Sequence, residues 1–185
     1  AEWYANEIGT KSAPFCGDFD GAGHTIKNYK ITIPTTQEDP LESHGLFGYI
    51  GSNAYIHDLG VEDVTFTIGI WQWNTTAGAM VGEMNDSSSV MNCFAKNVKF
   101  LRESGADNGE NGHYHTAGGL VGVIDGEGCE VRRCYSLNID NGIRKLTSSD
   151  GTSSNYATIM YNAGLVGRGA KFAWVADCYS TQPMM

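Results

Sequence analysis

A short glycine-rich segment with an apolar centre occurs four times in this chain, and this repetition constrains the fold more than any other feature. The four copies are Gly45-Leu46-Phe47-Gly48, Gly78-Ala79-Met80-Val81-Gly82, Gly119-Leu120-Val121-Gly122 and Gly164-Leu165-Val166-Gly167. Repetition at such intervals is typical of stacked units that each bury an apolar face on their neighbours. The chain is therefore expected to form a stack of similar repeats.

A second motif follows each glycine motif. Its copies are Ile56-His57-Asp58-Leu59, Val90-Met91-Asn92-Cys93, Val131-Arg132-Arg133-Cys134 and Val175-Ala176-Asp177-Cys178, and the earlier segment Ile26-Lys27-Asn28-Tyr29 fits the same frame. The fourth position recurs after 34, 41 and 44 residues from Leu59 onward. We interpret these segments as five rungs of one stack.

The aligned rungs predict which side chains stack on each other. The first position forms an aliphatic column, Ile26, Ile56, Val90, Val131 and Val175, expected to face inward at the strand spacing of roughly 4.8 Å. The third position forms an Asn/Asp column, Asn28, Asp58, Asn92 and Asp177, expected to hydrogen-bond turn backbone. Arg133 interrupts this column, so we expect its rung to bulge outward. A further aliphatic column, Val64, Val98 and Ile139, predicts a third strand in each repeat.

The length differences between repeats are confined to one place. Segments 67–77, 101–117 and 140–163 follow the third strand of successive repeats and are rich in Gly, Asn, Ser and Asp. Insertions at one corner of a stacked fold project from one side, which is commonly the binding side. The 24 glycines and the low charged content of 18% favour extended β structure with tight corners over a helical bundle.

Charge and hydropathy exclude several classes of partner. The net charge of -9 disfavours binding to nucleic acid and docking on anionic lipid, since both need clustered Lys and Arg. No apolar run approaches the roughly 18 residues of a membrane span. The abrupt start at Ala1-Glu2-Trp3-Tyr4 leads us to expect a piece of a larger protein.

Several segments of the chain resemble the GLUG repeat, which defines a family of secreted and surface-exposed, adhesin-like bacterial proteins. The resemblance is carried by Phe19-Asp20-Gly21-Ala22-Gly23-His24-Thr25-Ile26, Gly45-Leu46-Phe47-Gly48, Gly119-Leu120-Val121-Gly122, Asn92-Cys93-Phe94 and Asp177-Cys178-Tyr179-Ser180. It covers roughly residues 6 to 180, and the long insertions depart from it. It implies a right-handed parallel β-helix that serves attachment or substrate binding, with no shared catalytic residues.

The resemblance and the repeat pattern together predict the fold class and location. We expect an all-β, right-handed parallel β-helix of about five coils forming one domain over 1–185. Residues 1–14 are its entry segment and its coils run from about 15 to 180. The expected location is extracellular or on the bacterial cell surface.

Five cysteines make an odd count, so complete internal pairing is impossible. Cys93, Cys134 and Cys178 share one column, and three thiols in a straight line cannot surround a zinc ion. Their parallel side-chain directions also fit a disulfide poorly. We predict buried free thiols there, and leave open a pairing between Cys129 and Cys134.

One segment is a candidate metal site. His113 and His115, with Asp107 and Glu110 upstream, could share a face of an extended segment and bind a divalent ion. Short His pairs in polar loops usually bind nothing, so we predict no metal and no cofactor.

Two further features suggest ion binding but are given structural roles. The segment Asp18-Phe19-Asp20-Gly21 is similar to the start of a calcium loop, yet the later ligands are missing, which predicts a turn. His24, His44 and His57 are interpreted as structural.

Paired aromatic residues give the best candidate ligand contacts. Trp71 and Trp73 lie two positions apart in a polar insertion, where planar apolar faces beside amides could stack on sugar rings or anchor a protein partner. The alternative is that both rings cover the core. Tyr114 and His115 in the next insertion complete the predicted ligand-binding set.

Catalytic residues are not predicted. Glu62 with Asp63, or Arg132 with Arg133 and Asp177, could be assigned hydrolase or lyase roles, but neighbours on a strand point to opposite faces. We therefore predict a non-catalytic binding or adhesion module for a glycan or a host or cell-surface protein, with no nucleic-acid binding and no membrane insertion. The alternatives are a polysaccharide-degrading lyase or glycoside hydrolase, and a structural protein that self-associates through its coil ends.

Overall fold

The computed structural model describes residues 3–4, 6–33, 42–68, 74–102, 114–140, 159–169 and 172–181. Over these ranges the chain is all-β, with twenty strands, no α-helix and only parallel strand pairs. No helix able to cross a membrane is found in this part of the chain.

The strands are short and follow one another closely. In chain order they are β1 (Trp3–Tyr4), β2 (Asp18–Asp20), β3 (Thr25–Lys27), β4 (Tyr29–Ile33), β5 (Glu42–His44), β6 (Phe47–Ile50), β7 (Tyr55–His57), β8 (Gly60–Ile68), β9 (Asn74–Gly78), β10 (Val81–Met84), β11 (Ser89–Met91), β12 (Phe94–Arg102), β13 (Tyr114–Gly118), β14 (Val121–Ile124), β15 (Glu130–Arg132), β16 (Tyr135–Asp140), β17 (Ile159–Ala163), β18 (Val166–Gly169), β19 (Trp174–Ala176) and β20 (Tyr179–Thr181).

Four parallel sheets collect these strands. The seven-stranded sheet has the order β1-β4-β8-β12-β16-β20, with β3 also paired to β8, and the five-stranded sheet has the order β2-β7-β11-β15-β19. The β6 sheet has the order β6-β10-β14-β18, and the β5 sheet has the order β5-β9-β13-β17. Parallel neighbours cannot be joined by a hairpin. The chain therefore visits the other sheets before it returns, and each later repeat contributes one strand to every sheet.

The repeated glycine motif turns the chain from the β5 sheet into the β6 sheet. A Cβ atom on Gly82 would lie 2.6 Å from both the Gly48 carbonyl oxygen and the His44 nitrogen. A Cβ atom on Gly78 would lie 2.2 Å from the Val81 carbonyl oxygen. Only glycine lets these backbones approach so closely, which explains why the motif recurs in four successive repeats.

The core consists of like residues stacked across repeats. On the β6 sheet Phe47, Val81 and Val121 are in register and fully buried. On the seven-stranded sheet Val64, Val98 and Ile139 are in register and buried, and the rings of Phe66 and Phe100 stack with centroids 4.9 Å apart.

The structure places four of the five residues of the first predicted ladder in one register. Ile56, Val90, Val131 and Val175 are successive partners along the five-stranded sheet. The first three are fully buried, whereas Val175 is 50% exposed. Val175 lies on β19, the last strand of that sheet, so a described strand covers it on one side only.

Ile26 does not belong to this ladder, and its assignment was wrong. Phe19 is the partner of Ile56, while Ile26 pairs with Val61 on the seven-stranded sheet. The first repeat spends extra residues in the turn at Ala22 and Gly23, which both have positive φ. Because of this turn, the sequence alignment assigned to Ile26 on β3 the position that Phe19 on β2 occupies in the structure.

Two columns of residues with left-handed backbone conformation recur along the stack. Asp58, Asn92, Arg133 and Asp177 have φ between 51° and 57° and link the five-stranded sheet to the seven-stranded sheet. A second column lies within the seven-stranded sheet and comprises Asn28, Asp63, Asn97 and Asn138, with φ between 55° and 61°. Short polar side chains reach this conformation more easily than others, which explains the residue types.

Two predictions about the Asn/Asp column are corrected by these angles. Asn28 belongs to the second column, not to the column of Asp58. The bulge predicted at Arg133 is absent, because Arg133 has φ 51° and its amide bonds to the Ala176 carbonyl oxygen at 3.1 Å, as Asn92 bonds to Arg132 in the preceding repeat.

The cysteine column consists of free thiols. Cys93 and Cys134 are buried, Cys178 is partly buried, and none of the five cysteines is in a disulfide. The Cys134 thiol lies 3.1 Å from the Arg132 carbonyl oxygen and 3.5 Å from that of Val90, and Cys178 repeats this arrangement one repeat later. Cys129 is also buried and free, and its sulfur lies 3.6 Å from Ser88 Oγ.

Candidate functional site

An open groove runs along the seven-stranded sheet, across the stacked repeats. Its volume is about 540 Å³. It is lined by Asn28, Lys30, Asp63, Thr65, Asn97, Lys99, Asn138 and Asp140. We call it the polar groove.

Each of four successive repeats contributes two residues to the polar groove. The first is the left-handed Asn or Asp, and the second follows two positions later, after one buried residue such as Val64 or Val98. The left-handed residue bends the strand, which brings both side chains to the same concave surface. Four repeats span three strand spacings, so the groove is roughly 14 Å long.

The left-handed residues form a hydrogen-bonded ladder along the floor. Asn97 Nδ2 donates to Asp63 Oδ1 at 2.8 Å, and Asn138 Nδ2 donates to Asn97 Oδ1 at 3.1 Å. These bonds run between repeats, so they orient the amides and the carboxylate before any ligand arrives. Amides and carboxylates of this kind can bond to hydroxyl groups or to peptide groups.

The second column supplies charge of both signs. Lys30, Thr65, Lys99 and Asp140 are partners in register across β4, β8, β12 and β16. The two lysines are separated by two strand spacings, roughly 9.6 Å. The groove lining therefore carries two cations, Lys30 and Lys99, and two carboxylates, Asp63 and Asp140.

An ion-pair cluster fixes the sheet beside the polar groove. Glu62 pairs with Lys27 at 2.5 Å and with Lys96 at 3.2 Å. These hydrogen bonds and charges hold the pKa of Glu62 below its usual value. Lys96 lies on the same strand as Lys99 but does not line the groove.

Stacked aromatic rings form a second ladder on this sheet. Phe94, Tyr135 and Tyr179 stack with centroids 5.1 and 5.2 Å apart and with ring planes inclined by 6°. Since each inner ring face is covered by the next ring, Phe94 and Tyr135 offer mainly their edges to a ligand. This ladder stabilises the sheet and is a poor platform for sugar stacking.

Most of the predicted ligand and metal contacts lie outside the part of the chain that the structure describes. Trp71, Trp73, His113, Asp107 and Glu110 lie outside the described residues. Tyr114 and His115 lie on β13, in register with Asn74 and Thr75 of β9, and so belong to the β5 sheet.

A second polar cluster surrounds His57 at the start of the five-stranded sheet. Its Nδ1 lies 2.7 Å from Asp58 Oδ2 and 3.7 Å from Asp20 Oδ1, and its Nε2 lies 3.1 Å from Asp18 Oδ1. The bond to Asp58 and the charges of Asp20 and Asp18 raise the pKa of His57. The same bond, with one from Asn92, lowers the pKa of Asp58.

The sequence analysis identified neither the polar groove nor the His57 cluster, although the sequence contains a signal for the polar groove. Each residue of the third-strand column is preceded by Asp or Asn, as in Asp63-Val64, Asn97-Val98 and Asn138-Ile139. The His57 cluster was hidden by the frame error, because only the pairing of β2 with β7 brings Asp18 and Asp20 to His57.

Fold and groove together define an all-β protein of stacked parallel repeats with a polar groove along the stack. Comparison of the chain with models of known protein families, with curated proteins and with solved structures found no match. The resemblance to the GLUG repeat thus remains a prediction that rests on the sequence phrases quoted above.

Proposed function

We propose that the chain is a non-catalytic binding module that recognises an extended ligand, a glycan in the first place, along the polar groove. The module is a right-handed parallel β-helix of about five coils from an extracellular or cell-surface protein of the GLUG-repeat type. Parallel strands joined by crossovers are right-handed in about 98% of cases, which supports the handedness.

One observation carries this proposal: four successive repeats each present a polar pair in one continuous groove, an Asn or Asp followed two positions later by Lys, Thr, Lys or Asp. A linear polymer matches this arrangement because it also repeats a chemical unit along its length. The floor amides, which hydrogen bonds hold in place, match the hydroxyl groups of a sugar chain. The two lysines and two aspartates balance in charge, and the net charge of -9 repels strongly anionic polymers.

The insertions fit this proposal as a second contact region. Thr65 lies in the groove on β8, and the chain that follows β8 contains Trp71 and Trp73. We include both tryptophans, with Tyr114 and His115, as contacts that stack on or enclose the ligand.

The test is a screen of the chain against glycan and protein arrays, followed by affinity measurements with the best ligand. We expect Lys99→Ala to weaken binding by about tenfold or more, as expected for a lost charged hydrogen bond. Lys96→Ala is the matched control, since it removes a lysine of the same strand outside the groove, and it should leave the affinity unchanged. Equal affinities of these two variants and the parent chain would overturn the role of the groove.

Two further measurements separate the insertion contacts and the enzymatic alternative. The double variant Trp71→Ala with Trp73→Ala should weaken binding without changing the unfolding temperature. Release of unsaturated or reducing sugars from polysaccharides by the parent chain would instead favour a degrading enzyme.

The last repeat favours self-association as a second candidate function. Four apolar residues there are between 50% and 69% exposed: Phe172, Trp174, Val175 and Tyr179. Trp174 and Val175 lie on β19 and Tyr179 lies on β20, the last described strands of their sheets. A second copy of the chain could cover this apolar end and continue the strand ladders. Light scattering that shows only the monomer mass over a hundredfold concentration range would exclude this candidate.

A further inference from the structure

The His57 cluster combines three potential metal ligands on two neighbouring strands and one corner. Asp20 on β2 is the register partner of His57 on β7, and Asp58 follows His57 at the left-handed corner. One nitrogen and two carboxylate oxygens of these residues all lie within 4.8 Å of one another. Nitrogen and oxygen ligands in this mixture suit zinc and other borderline divalent ions, whereas calcium and magnesium prefer oxygen alone.

Each of the three ligands is held in place by a group outside the set. Asp18 Oδ1 lies 3.1 Å from His57 Nε2, Asn92 Nδ2 donates to Asp58 Oδ1 at 3.1 Å, and the Ala22 amide donates to Asp20 Oδ1 at 2.7 Å.

The imidazole ring is also fixed from its face. The Tyr55 ring stacks on it with centroids 4.4 Å apart. Such outer contacts, above all a carboxylate on the second histidine nitrogen, are characteristic of built metal sites.

We propose that Asp20, His57 and Asp58 bind one divalent transition-metal ion, with Zn²⁺ as the best match and Asp18 as the residue that orients the histidine. This site is separate from the polar groove and does not depend on the proposed function.

The spacing of the ligand atoms agrees with such an ion. Metal bonds of about 2.0–2.2 Å place ligand atoms ~3.3–3.6 Å apart around a tetrahedral ion. The observed distances from His57 Nδ1 are 2.7 Å to Asp58 and 3.7 Å to Asp20, so one oxygen moves outward and the other inward by a fraction of an ångström. Water completes the coordination, since Asp20 and Asp58 are 61% and 44% exposed.

The charge of the cluster favours the ion as well. The carboxylates of Asp18, Asp20 and Asp58 surround a single imidazole. A divalent cation among them offsets their negative charge.

The test is titration of the EDTA-treated full chain with ZnCl₂, followed by calorimetry and by thermal unfolding. We expect one equivalent to bind and to raise the unfolding temperature. His57→Gln and Asp20→Asn should each abolish this binding, and Asp18→Asn should weaken it by about 10- to 100-fold. CaCl₂ at the same concentration should give no shift.

A control variant separates zinc binding at this site from binding by the pair His113 and His115. His113→Gln with His115→Gln should bind zinc like the parent chain. The proposal is overturned if the parent chain binds no zinc, or if Asp20→Asn binds it unchanged. It is also overturned if only the His113 and His115 variant loses binding. Asp20→Asn alters an exposed side chain, so it carries the test even if His57→Gln fails to fold. The absorption of bound Co²⁺ then reports directly on a nitrogen and oxygen ligand set.

Discussion

Asn97 donates its side-chain amide to Asp63 Oδ1 at 2.8 Å, from one repeat to the preceding one, and both residues have positive φ. One position thus serves three purposes. The left-handed conformation bends the strand, the side chain joins neighbouring repeats, and the same atoms form the floor of the polar groove.

The first prediction separates the conformation of Asn97 from its hydrogen bonds. Asn97→Gly keeps a residue that tolerates φ of 55° and loses only the side-chain bonds, so we expect a loss of about 1 kcal/mol in unfolding free energy. Asn97→Val also places a β-branched residue in the left-handed region, and we expect a loss of about 2–3 kcal/mol. Urea unfolding measures both, and equal losses would show that the conformation contributes nothing.

The second prediction concerns Arg133, the exception in a column of Asp and Asn. Its φ of 51° is unfavourable for a long side chain, whereas Asn adopts it readily. We expect Arg133→Asn to raise the unfolding free energy by about 0.5–1 kcal/mol. The control is Arg132→Asn, which changes an exposed arginine on the extended strand β15. A stabilisation of the same size there would point to charge instead of backbone conformation.

The sequence predicted the stacking of repeats well because their cores consist of like residues. Val90 and Val131 occupy the same register as the aligned motifs require, and the glycine motifs mark one corner in every repeat. In the first repeat Ile26 was aligned with Ile56 in place of Phe19, because both are apolar and both precede Ile56 at a spacing close to that of the later repeats. Only the backbone of the turn at Ala22 and Gly23 decides between them.

Site prediction was harder than fold prediction for a physical reason. The lining of the polar groove comes from residues far apart in sequence, such as Lys30, Thr65 and Lys99, whose individual types carry no chemical signature. The tryptophan pair did carry such a signature, but Trp71 and Trp73 lie outside the described residues. The insertion contacts therefore stay a prediction.

The third prediction is a pH dependence that originates at His57. Its folded-state pKa is raised by the bond to Asp58 and by the charges of Asp20 and Asp18. Below the unfolded value of about 6.5 the histidine is protonated in both states, and the cluster stabilises the fold fully. As the pH rises through the folded pKa this stabilisation is lost.

Thermal unfolding in EDTA between about pH 5 and 9 measures this effect. The difference in unfolding temperature between the parent chain and His57→Gln should shrink as the pH increases. If this difference in unfolding temperature stayed constant over the range, the ion pairs of His57 would not stabilise the fold. Asp58 adds a separate loss only at more acidic pH, below its ordinary pKa of 3.8, because its lowered pKa gives stability that disappears as the carboxylate is protonated.

The fourth prediction concerns thiol reactivity. The contact with the Cys93 thiol, together with burial, raises the pKa of the Cys134 thiol, and only the thiolate reacts with disulfide reagents. Cys16 is exposed and should react quickly in the folded protein. Mass spectrometry after brief labelling should find Cys16 modified, with Cys93, Cys129 and Cys134 protected until denaturant is added. Labelling of Cys134 as fast as Cys16 would contradict the buried column.

The fifth prediction tests how the stack ends by comparing two valines of one ladder. Val131 and Val175 are direct register partners, yet Val131 is fully buried and Val175 is 50% exposed. Val131→Ala removes buried methyl groups between two covering strands and should cost about 2 kcal/mol of unfolding free energy. Val175→Ala removes the same atoms from the half-covered end and should cost well under about 1 kcal/mol. Denaturant unfolding at low protein concentration compares the two variants. If Val175→Ala proved as costly as Val131→Ala, its side chain would have to be covered in solution. Repetition of the measurement over a range of protein concentrations would show whether a second copy supplies that cover.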